Sequence, residues 1–344
     1  MKAFLPAGKA LVSWLRAGAS ERTPRARLWA YRWKAYWFDA NWRRQEMLYP
    51  PWPFEGEGGR NLLFVMGFWR SGTTLLHELL AAGPGMAAPR TWQCMNPSGF
   101  RIAGSPRAGA AARRPMDAVL VDALSPQEDE FALLARGAPS VYRAWLDPRR
   151  SDEVLPALEQ ETWLALPASQ WLDDWRTFLG WCMPPSAARL VVKSPNHVFR
   201  LKALHRAWPR ARMVWTLRDP LDAWQSNRKM WRAMTAMYGL WPARDEDIDR
   251  LLFKAMSEYA AALSWAADAL APVCVDFERL TAQSAVALHA ITQRLELGTW
   301  ASAQPAPQRP ETYAASAPLP RSAQALIARV RDLHRRLLGQ AQAA

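Results

Sequence analysis

Four short apolar runs constrain the fold of this 344-residue chain more than any other feature, because each precedes a segment with helical periodicity. Strands that are buried on both faces and joined through helices form parallel sheets. The sequence therefore predicts an α/β fold with a parallel central sheet flanked by helices. The predicted strands are residues 61–67, 189–194, 212–219 and 272–278, and the helices after them are residues 73–82, 197–208, 221–237 and 282–295.

The chain before residue 61 differs from the rest in composition. Residues 1–47 hold ten Lys or Arg against three Asp or Glu, interleaved with Trp and Tyr, which predicts one or two basic amphipathic helices. A Pro-rich and Gly-rich linker follows. We predict a basic aromatic helical extension with its linker over residues 1–60 and a main domain over residues 61–344. Two roles stay open for the extension: an aromatic stripe packed on the domain, which we favour, or contact with an anionic membrane surface or an acceptor.

Three further segments of the main domain lack a strand pattern. Residues 83–126 are rich in Gly, Pro and Arg and predict a loop or lid. Residues 303–320 are rich in Pro and Ala and predict irregular structure, and residues 322–338 predict a last basic helix.

Composition narrows the class of partner and the compartment. The formal charge of +13 favours anionic partners, but the basic residues are scattered among acidic ones and carry no nucleic-acid-binding signature. Three distant cysteines, Cys94, Cys182 and Cys274, support neither a disulfide framework nor a metal site. No uncharged run reaches the roughly 18 residues of a membrane-spanning helix. We expect a cytoplasmic protein, with peripheral contact at the inner membrane face as an option for the N-terminal helices.

The segment GFWRSGTT, residues 67–74, joins the first predicted strand to the first predicted helix. Its two glycines have the spacing of a nucleotide-binding P-loop, but Thr73 stands where the Walker motif has lysine. Backbone amides at a helix N-terminus favour an oxyanion, and Arg70 adds a cation. Without the lysine, the loop suits a single phosphate that carries a further anionic group, and a P-loop kinase is a weaker interpretation.

These residues resemble the sulfotransferases that use 3′-phosphoadenosine 5′-phosphosulfate (PAPS), and VVKSPNH at residues 191–197 is similar to their bacterial branch. The resemblance covers residues 61–297 and includes DFERL at residues 276–280. It implies a P-loop NTPase-like sulfotransferase fold, PAPS as co-substrate, no metal, and sulfuryl transfer to a hydroxyl or amine. The family's 5′-phosphosulfate loop is similar to Arg70, Ser71, Gly72, Thr73 and Thr74, and its 3′-phosphate signature to Arg218 and Ser226.

The residues also support two anion sites without the resemblance. Arg218 follows an apolar run, so it should lie at the carboxyl end of a strand, where α/β sheets bind ligands. Ser226 lies about two helical turns further on and can face the same phosphate. Lys193, at the end of RLVVKS, can stabilise the charge that grows on the bridging oxygen as the S–O bond breaks. The alternative for Lys193 is an ion pair with a loop carboxylate.

The general base is the position at which this sequence departs from its relatives. Many of them carry a carboxylate in a TWE-like stretch, whereas this chain reads TWQC with Gln93. The candidates instead are Glu128, our first choice, and Asp129 and Glu130 in the same SPQEDEF segment. Three acids after Ser-Pro are equally typical of a plain helix N-terminus. His197 is a further candidate, with a structural role as its alternative.

The acceptor is open at this point: a glycan, a lipid or a small metabolite. Arg309, Tyr313 and Arg321 are suggested as further contacts to the 3′-phosphate. A non-catalytic basic protein that binds nucleotide or membrane remains the alternative function, and nothing in the sequence indicates an oligomeric state.

Overall fold

The computed structural model describes residues 5–19, 23–53, 57–107, 109–114, 119–155, 168–270, 272–298, 319 and 321–343. The chain divides into two compact units. Unit 1 contains residues 1–54, 87–187 and 230–251, and unit 2 contains residues 55–86, 188–229 and 252–344. The division into an extension over residues 1–60 and one domain after it stays a prediction. Arg309, Tyr313 and, apart from residue 319, the irregular segment predicted over residues 303–320 lie outside the described residues.

The secondary structure is mostly helical. The strands are β1 Leu62–Met66, β2 Met86–Ala87, β3 Ala112–Arg113, β4 Leu120–Val121, β5 Arg189–Lys193, β6 Arg212–Leu217 and β7 Val273–Asp276. The α-helices are α1 Lys9–Ala17, α2 Arg25–Leu48, α3 Thr73–Ala81, α4 Thr91–Met95, α5 Phe100–Ala103, α6 Glu130–Arg136, α7 Arg143–Leu146, α8 Ser151–Val154, α9 Ala168–Cys182, α10 Leu201–Ala207, α11 Pro220–Tyr238, α12 Asp245–Ala269, α13 Phe277–Ala282, α14 Ser284–Arg294 and α15 Arg321–Ala343.

A five-stranded sheet with the order β2-β5-β1-β6-β7 forms the centre of unit 2. The pairs β1–β5, β1–β6 and β6–β7 are parallel. All four predicted strands are present within their predicted limits, so the predicted α/β fold class with a parallel central sheet is confirmed. Because β5 and β6 lie on opposite sides of β1, the connections diverge at β1, and ligands bind at the carboxyl edge of such a switch point.

Both faces of this sheet are covered, which explains why its strands are apolar throughout. All five residues of β1 are buried. Leu63 and Val65 belong to a core cluster with residues of α3, α13 and α14. On the other face, the Phe64 ring lies 5.8 Å from the Trp208 ring, and the Trp215 ring lies 6.4 Å from the ring of Tyr259 in α12.

Unit 1 is helical with an aromatic core. Tyr142 and Trp145 stack with ring centroids 3.7 Å apart, and Trp145 also contacts Trp231. The first backbone amide of α1 is bonded by Asp39 of α2, since Lys9 N donates to Asp39 Oδ2 at 3.1 Å. The segment predicted as a loop or lid contains the short elements β2, α4, α5, β3 and β4.

Helix α2 divides the predicted aromatic stripe between two faces. Tyr31, Phe38 and Trp42 are buried, whereas Trp29 and Trp33 are exposed. Our preferred interpretation, a stripe packed on the protein, is therefore wrong for the exposed half of the stripe. None of the helices that the structure describes combines the length and the apolar character needed to cross a bilayer.

Candidate functional site

The loop after β1 is held in shape by its own side chains and by β6. Ser71 Oγ donates to Phe68 O at 2.7 Å and lies 2.9 Å from Thr216 Oγ1. A Cβ atom at Gly67 would lie only 2.6 Å from both of those side-chain oxygens. Only glycine fits there, and the chain can therefore turn from the end of β1 toward α3.

Three residues of the loop have a positive φ, of which Gly67 has φ +148°. Gly72 has φ +93°, and Arg70, which is not a glycine, has φ +67°. A Cβ atom at Gly72 would come within 2.4 Å of the Phe277 ring at the start of α13. A non-glycine residue in this conformation is costly and is found where the surrounding structure enforces it, often at functional sites. The loop is thus shaped by the neighbouring strands as well as by its glycines.

The residues predicted for the two anion sites meet at Arg70. Arg70 Nε donates to Ser226 Oγ at 3.0 Å, and Arg218 Nη1 donates to Arg70 O at 2.9 Å. The Arg218 guanidinium also lies over the Phe277 ring, 4.6 Å from its centroid. Residues that are far apart in the sequence are therefore joined in one cationic cluster at the carboxyl ends of β1 and β6.

Helix α11 supports the loop through a second residue that the sequence analysis missed. Asn227 Nδ2 donates to Trp69 O and to Ala223 O, both at 2.8 Å. Asn227 follows Ser226 directly, so neighbouring residues of α11 bond Trp69 and Arg70 in the loop. In the sequence, the signal that could have suggested this contact is an asparagine directly after Ser226, the predicted phosphate ligand.

Lys193 is placed beside the N-terminus of α3. It is the last residue of β5 and pairs in register with Val65 of β1. Its side chain is 1% exposed, and its Nζ donates to Thr74 Oγ1 at 3.3 Å. In the described structure α3 has no side-chain N-cap and no acidic residue in its first turn. The ammonium group thus supplements the partial positive charge of the helix N-terminus.

An acidic pair lies close to Arg218 at the end of β7. The pKa of Glu278 is raised to about 7, chiefly because of desolvation and also because of the neighbouring Asp276, while Arg218 opposes the rise. A carboxyl group with this pKa changes charge near neutral pH. It can therefore alter the potential at Arg218 within the physiological range.

The segment after Lys193 contains a buried amide that the sequence analysis did not identify. Asn196 is 1% exposed, and within the described part of the chain neither polar atom of its side chain has a hydrogen-bond partner. Its backbone N donates to Ser194 Oγ at 3.1 Å. An unsatisfied buried amide is costly and is a candidate to bind a ligand.

His197, a predicted candidate for the base, is fully buried three residues after Ser194. Its Nδ1 lies 3.3 Å from Arg200 Nη1, and its ring meets Phe64 edge to face at 5.7 Å. These contacts favour the structural role of His197.

The carboxylates predicted as the base lie in unit 1, beside the segment that contains Gln93. A β-bridge joins Arg90 to Pro126, and Gln127 N donates to Pro89 O at 2.8 Å. Gln93 Oε1 accepts from Arg90 N at 2.7 Å, so this glutamine caps α4. The TWQC and SPQEDEF segments are therefore neighbours.

Glu128 and Asp129 have different surroundings. Glu128 is half-buried, and its Oε2 accepts from the Tyr142 hydroxyl at 2.5 Å. Asp129 is fully buried, and its Oδ2 accepts from Trp175 Nε1 at 2.6 Å. Glu130 is also fully buried. Burial lowers the pKa of Arg143 to about 10, and the nearby Glu130 opposes that lowering. Of the three acids, Glu128 is the one whose side chain reaches solvent.

Comparison with known proteins identifies the family. A model of the sulfotransferase family matches residues 63–302, which is more than half of the chain. The chain belongs to the sulfotransferase family. The predicted family is thereby confirmed, although the role of each site residue stays a prediction.

Two curated relatives of this sulfotransferase-family chain carry the same name. The omega-hydroxy-beta-dihydromenaquinone-9 sulfotransferases Stf3 of Mycobacterium tuberculosis and Mycobacterium bovis are each 31% identical to it over 205 residues. The match covers 57% of this chain and 51% of each relative, so the chain spans about half the length of the curated relatives it matches.

Solved structures share the fold at low sequence identity. Sulfotransferase STF1 of Mycobacterium tuberculosis matches with a TM-score of 0.56 at 17% identity, over 96% of this chain and 90% of that one. Sulfotransferase STF9 of Mycobacterium avium matches with a TM-score of 0.51 at 18% identity, over 86% of this chain and 71% of that one. The predicted sulfotransferase fold is confirmed.

Proposed function

We propose that this protein is a PAPS-dependent sulfotransferase that moves a sulfuryl group to a hydroxyl acceptor, with an amine as the alternative nucleophile. The observation that carries the proposal is the cluster in which Arg70 contacts both Ser226 and Arg218. Family membership supports the same activity. The main alternative is a non-catalytic protein that binds the nucleotide or a membrane.

The chemistry of the cluster fits PAPS. The ligand carries a phosphosulfate at one end and a 3′-phosphate at the other, and the site offers the N-terminus of α3, three cationic side chains and several hydroxyls. We assign the phosphosulfate to residues 70–74 and the 3′-phosphate to Arg218 and Ser226. The cations Arg70, Lys193 and Arg218 would neutralise these groups without a metal.

The reaction needs a proton acceptor and a stabilised leaving group. The acceptor oxygen forms a bond to sulfur as the bond from sulfur to the phosphate oxygen breaks, and adenosine 3′,5′-bisphosphate leaves. Glu128 takes the proton of the attacking hydroxyl, and Lys193 stabilises the negative charge on the departing oxygen. Asp129 and His197 are fully buried whereas Glu128 is half-buried, which supports Glu128 over both.

A lipid-like alcohol is the acceptor class that we favour. The relatives named Stf3 are sulfotransferases of a hydroxylated menaquinone, which is an amphipathic molecule. The basic, aromatic α2 is compatible with such an acceptor and with peripheral membrane contact. Glycans and small metabolites are the alternative acceptors. We propose the acceptor as a class, a lipid that carries a hydroxyl group.

Isothermal titration calorimetry with adenosine 3′,5′-bisphosphate tests the donor site. Wild-type protein should bind with micromolar or tighter affinity, and Arg218→Ala should bind about tenfold to a hundredfold more weakly because a charged hydrogen bond is lost. Arg212→Ala is the matched control, since Arg212 lies at the opposite end of the same strand and should not change the affinity. No binding by the wild-type protein would refute the proposed function.

Transfer of radiolabelled sulfate from PAPS to a panel of long-chain and isoprenoid alcohols tests the base. Glu128→Gln should lower turnover by about 100-fold or more while leaving adenosine 3′,5′-bisphosphate affinity unchanged. Glu153→Gln, a change to an ion-paired carboxylate in the same unit, is the control. Full activity of Glu128→Gln would exclude Glu128, and full activity of both Glu128→Gln and His197→Ala would exclude the favoured acid and the histidine together.

A further inference from the structure

Helix α2 presents a continuous aromatic face to solvent. Trp29 is 62% exposed, Trp33 69%, Tyr36 61% and Trp37 49%. At 100° per residue these four side chains fall within one face of the helix, and the exposed Met47 extends the face. The aromatic part of the face, from Trp29 to Trp37, is about 12 Å long at 1.5 Å per residue, and Met47 lies about 15 Å beyond it. Large aromatic side chains rarely form an exposed cluster of this kind without a partner.

The opposite face of α2 already supplies the packing that the helix needs. Tyr31, Ala35, Phe38, Trp42 and Gln45 are buried. Their spacing of three and four residues places them about 180° from the exposed aromatic row. A helix of one globular protein needs one apolar face for its own core, so the second face, exposed among the described residues, is available to a partner.

Basic residues flank the aromatic face. Arg25, Arg32, Arg43 and Arg44 are exposed, and the Arg32 guanidinium lies 4.2 Å from the centroid of the Trp29 ring. The two acids of α2 offset these arginines only in part. Asp39 accepts from Lys9 N and pairs with Arg136, which leaves the exposed Glu46 as one acid against four arginines. A partner surface that fits this face is therefore apolar where it meets the aromatic rings and negatively charged where it meets the arginines.

We propose that the exposed face of α2, formed by Trp29, Trp33, Tyr36 and Trp37 with flanking Arg25, Arg32, Arg43 and Arg44, docks on an anionic lipid bilayer. The helix lies in the plane of the interface, with the aromatic rings at the level of the headgroups and acyl chain ends and the arginines on the phosphates. The docking proposal rests on the proposed function, because a bilayer holds a lipid acceptor at high local concentration.

Charge argues against a second copy of the chain as the partner. In a two-fold dimer through this face, each aromatic row would meet the same row of the other copy. The four flanking arginines of each copy would then approach those of the other copy, against a single exposed acid, Glu46, in each helix. An anionic lipid surface satisfies the aromatic and the basic parts of the face together.

Flotation of the full chain with lipid vesicles, in the absence of donor and acceptor, tests the docking. One vesicle is phosphatidylcholine, and the other is an equimolar mixture of phosphatidylcholine and phosphatidylglycerol. The wild-type protein should float with the mixed vesicles and much less with phosphatidylcholine alone, and added salt should weaken the association.

Two sets of variants separate the contributions of the face. Arg43→Gln with Arg44→Gln should lower the vesicle partition coefficient about 25-fold, at about fivefold per basic residue. The matched control is Arg329→Gln with Arg335→Gln, two exposed basic residues of α15, which should cause no loss. Trp29→Ala, Trp33→Ala and Trp37→Ala combined should lower partition at least about tenfold, whereas Phe253→Ala, an exposed aromatic of α12, should not.

Each contrary result has a distinct meaning. A wild-type protein that binds adenosine 3′,5′-bisphosphate but does not float with mixed vesicles would overturn the docking and leave the proposed function intact. Flotation without nucleotide binding would overturn the proposed function and leave the docking intact. If the triple tryptophan variant floats like the wild-type protein, the exposed face of α2 is not the surface that binds the vesicles. A change from dimer to monomer in sedimentation, with flotation unaffected, would assign the face to a second copy.

Discussion

At the scale of single residues, Lys193 is expected to act on the chemical step more than on nucleotide binding. Adenosine 3′,5′-bisphosphate lacks the sulfate that Lys193 is assigned to release. Lys193→Met keeps the apolar stem, so turnover should fall about 100- to 1000-fold while bisphosphate affinity falls less than about tenfold. Lys202→Met, an exposed lysine of α10, is the control. Equal losses in turnover and affinity would make Lys193 a binding residue only.

Glu278 should make nucleotide affinity depend on pH. Because its pKa is raised to about 7, the carboxyl is neutral below that pH and repels a phosphate at Arg218 above it. Glu278→Gln should therefore bind adenosine 3′,5′-bisphosphate more tightly than wild type at pH 8 and equally at pH 5. The ratio of the two dissociation constants cancels the titration of the ligand itself. A ratio that does not change with pH, as expected for the exposed Glu246→Gln, would contradict this role.

The same raised pKa has a consequence for stability. A carboxyl group whose pKa is higher in the folded than in the unfolded state destabilises the fold as pH rises from the unfolded value through about 7. Glu278→Gln should thus be more stable than wild type above neutral pH and no more stable at pH 4. Urea unfolding at both pH values measures the difference.

Asn196 is predicted to favour ligand binding at the expense of stability. Replacing an unsatisfied buried amide with an apolar group of similar size should stabilise the ligand-free protein by about 1 kcal/mol. Asn196→Leu should therefore unfold at higher urea concentration but turn over more slowly. Reduced stability together with normal turnover would show that the amide has a structural partner instead.

At the scale of elements, the loop after β1 depends on the start of α13. Gly72→Ala meets both the left-handed conformation, which costs about 1–2 kcal/mol, and the Phe277 ring. Gly104→Ala meets only the conformation, since Gly104 has φ +77° and no atom within 4 Å of a built Cβ. Unfolding free energies should fall further for Gly72→Ala than for Gly104→Ala. A second change, Phe277→Ala, should be less destabilising in the Gly72→Ala background than alone, and simple additivity would contradict the contact.

The elements that sequence predicts best are those with a local signal. The four central strands are apolar runs, so composition alone marks them. Helix α12 was missed although Ile248, Leu251, Leu252 and Ala255 have helical spacing and are buried. The predicted helix over residues 282–295 is present as α14, and the short helix α13, which starts directly at Phe277 after β7, was missed.

The candidate site was predictable in part for the same reason. Arg218 and Ser226 belong to a local motif at a strand end and could be named from the sequence. The contact of Gly72 with Phe277 joins residues that are distant in the chain, and the unsatisfied amide of Asn196 depends on its surroundings. Sequence patterns do not encode either of these properties.

At the scale of the whole molecule, the net charge of +13 should speed the arrival of the nucleotide. The association rate constant of adenosine 3′,5′-bisphosphate, measured by stopped flow, should fall about tenfold or more from low to physiological ionic strength. Adenosine, which carries no phosphate, should show no such dependence. If the association rate constant of the bisphosphate did not depend on salt, the net charge would act on the bound nucleotide and not on its arrival.

The division into two units could not be predicted from the sequence. Unit 1 draws on three separate stretches of the chain, and of its boundaries only the one after residue 54 falls in the predicted linker. Contacts between distant segments determine this arrangement, and a scan along the chain does not detect them.

The position of Phe277 against Gly72 and Arg218 also bears on when the site is completed during synthesis. The glycine loop leaves the ribosome some two hundred residues before β7 and α13 do. A nascent chain that ends before residue 277 has β1, β5 and β6 but lacks the ring on which the loop and the arginine rest. Nucleotide would then be captured only after residue 277 has been added, and it could not serve as a template for the early steps of folding.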